Sequence, residues 1–538
     1  MATLKVALGP GLGTCQTRTR DRIAHRKNPF GKAVYRGRRP LFVRAAGQDG
    51  NEADESDAPS FRDLTRFSLE GKNIVGTNET PIDDVLEIPS LRDVLKPQPS
   101  PFVAHNNWDG GFVSDDDRVS LQSMKFASAK SAGASTHMIA IGSTGHRTSW
   151  MQSSLEQINV PLPAFTMRAG ARDTIFHNPA STTAAIVTCG GLCPGLNDVV
   201  AGLVRKLEDY GVKEGNILGV RYGYRGFYDP EFPPIVLTRE NVEGLHLQGG
   251  TMLGTSRGGA DIKEIVKKLD MWGVDMLFVV GGNGGNAGAA AIQAECQERG
   301  VVCSVVGVPK SIDNDILLID RCFGFETAVE EAQRPLLAAK VEASSTFRGI
   351  GIVKLMGRES GFIALHASLS SGVVDVCLIP EVPFSLHGEK GLLAYLESVI
   401  ARQGHAVVCV AEGAGQDMLP TSSDKTDASG NRILGDIGQW LKKEVKDNLP
   451  DVDVKYIDPT YMIRAIPTNS GDRIYCKILA HNAVHGAFAG FTGITVGLVN
   501  THYVYLPIPI IIQNVRKVDP SGKQWNRLRA SIGQPTFH

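Results

Sequence analysis

No apolar stretch in this chain reaches the ~18 residues that a membrane-spanning helix needs. The longest candidate, Leu506 to Val515, is broken by Pro507 and Pro509. The nine cysteines are scattered, without repeated C-x-x-C pairs or histidines at zinc spacing. That pattern argues against a disulfide framework and a structural zinc, and it suits a reducing compartment. The chain also has almost no net charge, −1 over 538 residues. The small value hides an asymmetry: residues 1–45 hold eleven Lys/Arg and one acid, Asp21, a local charge of +10, so the remainder carries −11. An acidic body argues against nonspecific nucleic-acid binding, which needs a basic surface.

The composition is otherwise that of an ordinary globular protein, 42% hydrophobic and 21% charged. The length allows two or more domains, each with its own core. The segment from Met1 to about Ala46 is rich in Arg, Thr, Gly and Ala and lacks the continuous apolar region of a secretory signal. It reads as an organellar transit peptide with a processing region near Val43–Ala46. The alternative is a basic arm for RNA, which the acidic stretch Asp49–Asp57 would oppose. Residues 47–175 alternate short apolar pieces with Pro, Ser, Asp and Gly, and are expected to form a partly ordered extension packed on the core.

From Ala184 onward the pattern changes. Apolar runs at 184–189, 276–280, 301–308, 350–355, 374–379, 406–411 and 494–499 alternate with stretches of helical period, among them one facing inward through Val199, Val200, Leu203, Val204 and Leu207. Strands alternating with helices predict parallel sheets with helices on both faces, and ligands beyond the carboxyl ends of the strands.

The residues after those strands are the informative ones. Gly190-Gly191-Leu-Cys-Pro-Gly-Leu-Asn197 offers backbone amides to an anion, with Asn197 as a candidate cap of the next helix, but no Gly-Lys-Ser/Thr follows as a Walker loop would require. The run from Gly281 to Gly288 fits G-x-G-x-x-A from Gly282, so a dinucleotide enzyme is a rival. That rival needs an acid about 20 residues on, and Val301–Ser304 supplies none. Pro309-Lys310-Ser311-Ile312-Asp313-Asn314-Asp315 places two carboxylates beside a hydroxyl and a lysine, a group able to take a proton from an alcohol.

Those three segments, with Gly249-Gly-Thr-Met-Leu-Gly-Thr-Ser-Arg257 and Met356-Gly357-Arg358-Glu-Ser-Gly-Phe, occur in an order that resembles the phosphofructokinase family, particularly its plant-type ATP-dependent branch, from about residue 184 onward. The resemblance implies an α/β protein of two doubly wound parallel-sheet lobes behind an N-terminal extension. Its core would span 176–538, with a nucleotide lobe about 180–315, a sugar-phosphate lobe about 316–475, and the chain returning between them. It implies phosphoryl transfer from ATP to the 1-hydroxyl of fructose 6-phosphate with Mg²⁺, an oligomer (a tetramer in the family), and neither nucleic acid nor membrane as partner. It further implies a plastid address more than a mitochondrial one.

Carried over position by position, Asp313 is the general base, Ser311 and Ile312 flank the sugar, and Arg257 and Arg358 lie near the transferring phosphate. A base of ordinary carboxylate pKa suffices there, because the hydroxyl loses its proton late. Gly191, Tyr224, Gly258, Gly282, Asn283, Gly284, Gly285 and Gly288 would line the nucleotide site. Met356, Gly357, Glu412, Lys455, Tyr461 and Arg464 would meet the sugar phosphate, with Arg348 reaching that of a neighbouring subunit. Tyr461 stands where many bacterial members have His. Gly284 favours ATP over pyrophosphate, whereas Lys310 is shared with pyrophosphate users. Asn283 departs from the family's usual Asp in the Mg²⁺ site, which keeps open a weakly active regulatory subunit. Cys189 and Cys193 straddle the first loop as two small buried residues or as a thiol switch.

Overall fold

The computed structural model describes residues 84–104, 111–121, 162–419, 426 and 433–537. The expected transit peptide and much of the expected extension lie outside these. Four short strands come first: β1 (Gln98–Pro99), β2 (Arg118–Ser120), β3 (Phe165–Met167) and β4 (Thr174–Ile175). β1 pairs with β4 and β2 with β3, both antiparallel.

The first large sheet starts with β5 (Ala184–Thr188), β6 (Ile217–Val220), β7 (Ile235–Val236), β8 (Met276–Gly281) and β9 (Ser304–Pro309). Every residue of β5, β8 and β9 is buried, which is why these segments read as unbroken apolar runs: helices cover both faces of a parallel sheet. On one face lie helices Leu196–Tyr210 and Ser470–Phe488, which approach so closely that a Cβ on Gly202 would sit 2.7 Å from that of Ala480. On the other lie Ile262–Met271 and Asn283–Arg299. The second sheet holds β10 (Gly349–Leu355), β11 (Val376–Leu378), β12 (His405–Ala411) and β13 (Asp453–Ile457), all parallel, in the order β11-β12-β10-β13. The chain then returns: β14 (Ile494–Val499) and β15 (His502–Pro507) complete the first sheet as β15-β14-β9-β8-β5-β6-β7.

The expected α/β architecture of two parallel-sheet lobes is the observed one, with antiparallel edge strands at β7 and β15. The boundaries differ locally. The strand expected from Val301 begins at Ser304, because Gly300 closes the preceding helix in a left-handed turn and the Val301 amide bonds back to Cys296. The described residues before Ala184 pack on the β15 edge. Arg168 bridges to Val504, and Leu86, Val119 and Leu121 share a core with Ile316, Leu317 and Leu506. Arg92 lies over the rings of Phe176 and Phe491 and ion-pairs with Asp115, which also holds Arg172. Among the described residues no helix is long and apolar enough to cross a membrane.

Candidate active site

The carboxyl ends of β5, β8, β9, β10 and β12 deliver the predicted segments. After β5 the Gly190 amide donates to Ser256 O (3.0 Å) and Thr255 Oγ1 donates to Gly190 O (2.7 Å), tying the 249–257 loop to the first glycine loop. That tie brings the Arg257 guanidinium over Gly191: a Cβ there would lie 3.4 Å from Arg257 Nη2 and 4.0 Å from Arg464 Nη1. Two predicted cations from distant segments thus meet at one backbone position. Lys310 Nζ approaches Gly190 from the other side, 3.5 Å from where a Cβ would be. Gly258 follows Arg257 in a left-handed conformation, φ +66°.

Asn197 does not cap its helix. The cap is Gly195, at φ +105°, and the Asn197 amide donates to Gln248 O (3.0 Å) while its oxygen accepts from the Met252 N–H (2.8 Å). The residue therefore shapes the 248–252 loop.

The glycine run after β8 is more ordered than its composition suggests. The helix starts at Asn283 with Gly282 as its cap residue, so Gly284, Gly285 and Gly288 lie within its first turns. The first amides of a helix have no intrahelical acceptor and carry partial positive charge. Gly284 faces open space, with nothing within 4 Å of a Cβ placed on it. Packing therefore does not force glycine there, and the volume above it is available to a ligand. Gly288 differs, because a Cβ would fall 2.6 Å from the Tyr224 ring. Tyr224 is buried beneath the helix and its hydroxyl donates to Gly285 O (2.7 Å), so it supports the loop from below rather than presenting its hydroxyl to the open side.

The segment after β9 holds the two carboxylates. Asn314 between them adopts φ +58° and its oxygen takes the Cys322 amide (2.8 Å). Asp315 accepts from the Ser311 hydroxyl and, at 3.4 Å, from the Asn283 amide. Asp313 accepts from the backbone N–H of Arg358, yet its Oδ1 is sealed from solvent with no partner. Burial, with Asp315 and Glu412 nearby, pushes its carboxyl well above the usual range. That departs from the ordinary carboxylate expected of this base, because sequence spacing does not report desolvation. Ile312 packs against the cores of both sheets, which fixes the segment at their junction.

On the second sheet, Met356 is buried beyond β10, and Gly357 turns the chain at φ +133°, a value L side chains rarely adopt. The Gly413 amide donates to Gly357 O (3.0 Å), and that of Glu412 to Leu355 O (2.9 Å). Tyr461 is exposed, with the Arg464 guanidinium 4.7 Å from its ring centre. Two predicted residues stand apart. Arg348 precedes β10 at its far end, roughly 26 Å from Met356 at 3.3 Å per residue, and ion-pairs with Glu397 (2.7 Å). Lys455 is in register with Gly351 and pairs with Asp453 (3.0 Å).

Cys189 and Cys193 are both buried, and burial raises both thiols, that of Cys189 to about 12. Neither presents the accessible thiolate that a switch uses. Sequence reasoning missed Ser360, whose hydroxyl donates to Asp313 O (3.2 Å), and Lys354, held by Asp436 and Asp458. Only the flanking Met-Gly-Arg motif marked Ser360's neighbourhood, and nothing local marked Lys354.

Amides and guanidinium groups that receive anions here face carboxylates suited to a hydroxyl proton or a hard cation, which defines a site for phosphorylated ligands on an α/β scaffold. The phosphofructokinase family model matches residues 183–487. The chain is 52% identical over 440 residues to the chloroplastic ATP-dependent 6-phosphofructokinase 5 of Arabidopsis thaliana, covering 81% of this chain and 78% of that one. It is 44% identical over 376 residues to the ATP-dependent 6-phosphofructokinase of Trypanosoma brucei brucei, covering 68% and 76%. The chain belongs to the phosphofructokinase family. Among solved structures it resembles the pyrophosphate-dependent phosphofructokinase of Marinobacter aquaeolei, at TM-score 0.56 and 20% identity over 66% of this chain and 92% of that one, a likeness of fold.

Proposed function

We propose that this chain transfers the γ-phosphoryl group of ATP to the 1-hydroxyl of fructose 6-phosphate, giving fructose 1,6-bisphosphate. The observation that carries the reading is Asp313 Oδ1: a carboxylate oxygen at the junction of the two sheets, buried and without a partner. A buried acceptor left unsatisfied costs stability unless something arrives to bond it, and a substrate hydroxyl is such a group. Asp313 takes that proton while Ser311 and Asp315 hold the segment in place. Arg257, Arg358 and Arg464 neutralise charge on the phosphate being transferred and on the sugar phosphate, and the amides of Asn283, Gly284 and Gly285 receive the donor.

The donor set also fits a divalent cation. Asn283 Oδ1 is buried and unpartnered beside Asp315, and hard cations take oxygen ligands of these kinds. Bound Mg²⁺ would neutralise the donor phosphates. Among the described residues no group of three or more His, Cys, Asp or Glu forms a metal cage, so the cation would be held in part by the nucleotide.

ATP as donor is supported by the open space over Gly284 and by the names of the ATP-dependent relatives. Arg348 and Lys455, remote from Asp313 in their own chain, would serve the sugar phosphate of a neighbouring subunit in an oligomer. A plastid address is supported by the composition of residues 1–46 and by two chloroplastic relatives.

The test is a coupled assay of the chain lacking residues 1–46, with fructose 6-phosphate and either Mg-ATP or Mg-pyrophosphate. Turnover with ATP alone, abolished by Asp313→Ala, supports the reading. Sugar-phosphate binding without turnover, rescued by Asn283→Asp, makes the chain a regulatory subunit instead.

A further inference from the structure

The segment that follows β15 touches the catalytic loop at several points, although it lies beyond the residues the family model matches. The backbone N–H of Arg516 donates to Asp315 O (2.8 Å), and Val515 forms an antiparallel bridge with Ile316. The Arg516 side chain is 7% exposed. Its Nη1 donates to the carbonyls of Ile319 (3.1 Å) and Asp320 (2.9 Å), and its guanidinium carbon lies 4.8 Å from the centre of the Phe362 ring. Phe362 opens the helix that follows the Met356–Gly361 turn, and that turn supplies the Arg358 N–H and the Ser360 hydroxyl to Asp313. Two residues on, the Val518 amide and the Gly361 amide share one carboxylate, that of Glu381 (2.7 and 2.9 Å). The segment 515–518 therefore joins the Asp313–Asp320 loop on one sheet to the Met356–Phe362 turn on the other.

We infer that Arg516 is a positioning residue for phosphoryl transfer, setting Asp313 against the Arg358 turn without touching either substrate. Packing alone does not account for it. A buried guanidinium is costly to desolvate, and an apolar side chain of similar volume often fills such a space as well or better. What an apolar side chain cannot do is satisfy two consecutive carbonyls while placing a cation over an aromatic ring. Those contacts fix the path of the loop on one side and the start of the helix on the other. Displacement of a catalytic group by about 1 Å can cost about a hundredfold in rate.

Arg516 also lines a cavity of about 530 Å³, with Asn314, Asp320, Phe325, Phe362 and His366 among its walls. A guanidinium ion can therefore reach the space that a truncated side chain would leave.

The inference rests on the reading of Asp313 as the base, so Asp313→Asn is run beside the Arg516 variants. Arg516→Ala is expected to lower kcat about a hundredfold with KM for both substrates unchanged. Guanidinium chloride below denaturing concentration should restore part of kcat, and sodium chloride or urea at equal concentration should not. Full kcat in a folded Arg516→Ala, or loss of activity indifferent to guanidinium, overturns the inference. Arg516→Lys, which keeps the charge and loses the paired carbonyl geometry, decides the matter if the alanine variant does not fold. A lowered kcat at constant KM supports positioning, and wild-type kcat overturns it. Full turnover by Asp313→Asn would instead remove the base reading, whatever the Arg516 variants do.

Discussion

Asn283→Asp is the substitution whose effect can be worked most directly from the structure. The Asn283 amide nitrogen donates to Asp315 Oδ2 at 3.4 Å. Replacing it with an acidic oxygen turns a weak hydrogen bond into a contact between two carboxylates. At an effective dielectric near 20, two unit charges at that distance repel by about 5 kcal/mol. Both residues are partly open to solvent, so water and partial protonation leave about 2 kcal/mol of that. For a chain of this size that is roughly 2 °C in melting temperature. The sign with pH follows from the charge. Repulsion raises the folded-state pKa of the introduced carboxyl above its unfolded value, so the deficit is absent below about pH 4 and grows as pH rises. Mg²⁺ binds the folded site and should close the gap. Thermal melts of parent and variant at acidic and mildly alkaline pH, in chelator and then in Mg²⁺, measure each part. Identical melting at alkaline pH in chelator would refute the geometry from which the magnitude was drawn.

Asp313 gives a second pH test. Its carboxyl is held above the usual range by burial and by neighbouring acids. Stability from the neutral form is therefore complete below the unfolded pKa, about 3.9, and is lost as pH rises through the folded value. Asp313→Asn should be inactive yet melt higher than the parent at alkaline pH, with no difference in acid; equal melting throughout would count against the buried site. Gly288→Ala places a Cβ 2.6 Å from the Tyr224 ring and should cost about 1–3 kcal/mol, read as a lower denaturation midpoint together with a raised KM for ATP. Gly284→Asp meets open space in the first turn of its helix, so melting should not fall, while repulsion of donor phosphates raises KM for ATP about tenfold, a change of about 1.4 kcal/mol. An unchanged KM would place the donor elsewhere.

The parts of the fold that could be read in advance are those with a local physical signature. β5 and β8 are continuous apolar runs because both faces of a parallel sheet are covered, and the glycines after them mark where the backbone turns toward a ligand. The start of the helix at Asn283 was not legible, since a run of glycines opposes helix formation locally. It is held by tertiary contacts: Tyr224 on Gly285 O, and the Asn286 side chain on Gly281 O and Gly282 O. Asn197 looked like a cap because its type and place fit one, but its partners lie about 50 residues away in the 248–252 loop. The resemblance located the reactive segment around Asp313 without indicating its desolvation. Nothing near Arg516 in the sequence announces contacts with carbonyls almost 200 residues earlier.

The return of the chain to the first sheet bears on how the protein acquires its structure. β14 joins β9 through Ile494 opposite Val306 and Thr495 opposite Gly307, a parallel pairing separated by almost the whole second lobe. Until that pairing forms, β9 is an open edge of fully buried residues with unpaired backbone groups, the kind of surface that seeks another strand. Closing a long loop adds only about 0.6 kcal/mol for each doubling of its length, so the separation costs little stability. Its effect is on the order of events, because non-local pairings of this kind form slowly. The half of the molecule that begins first in sequence must therefore wait for strands made last before its sheet is complete.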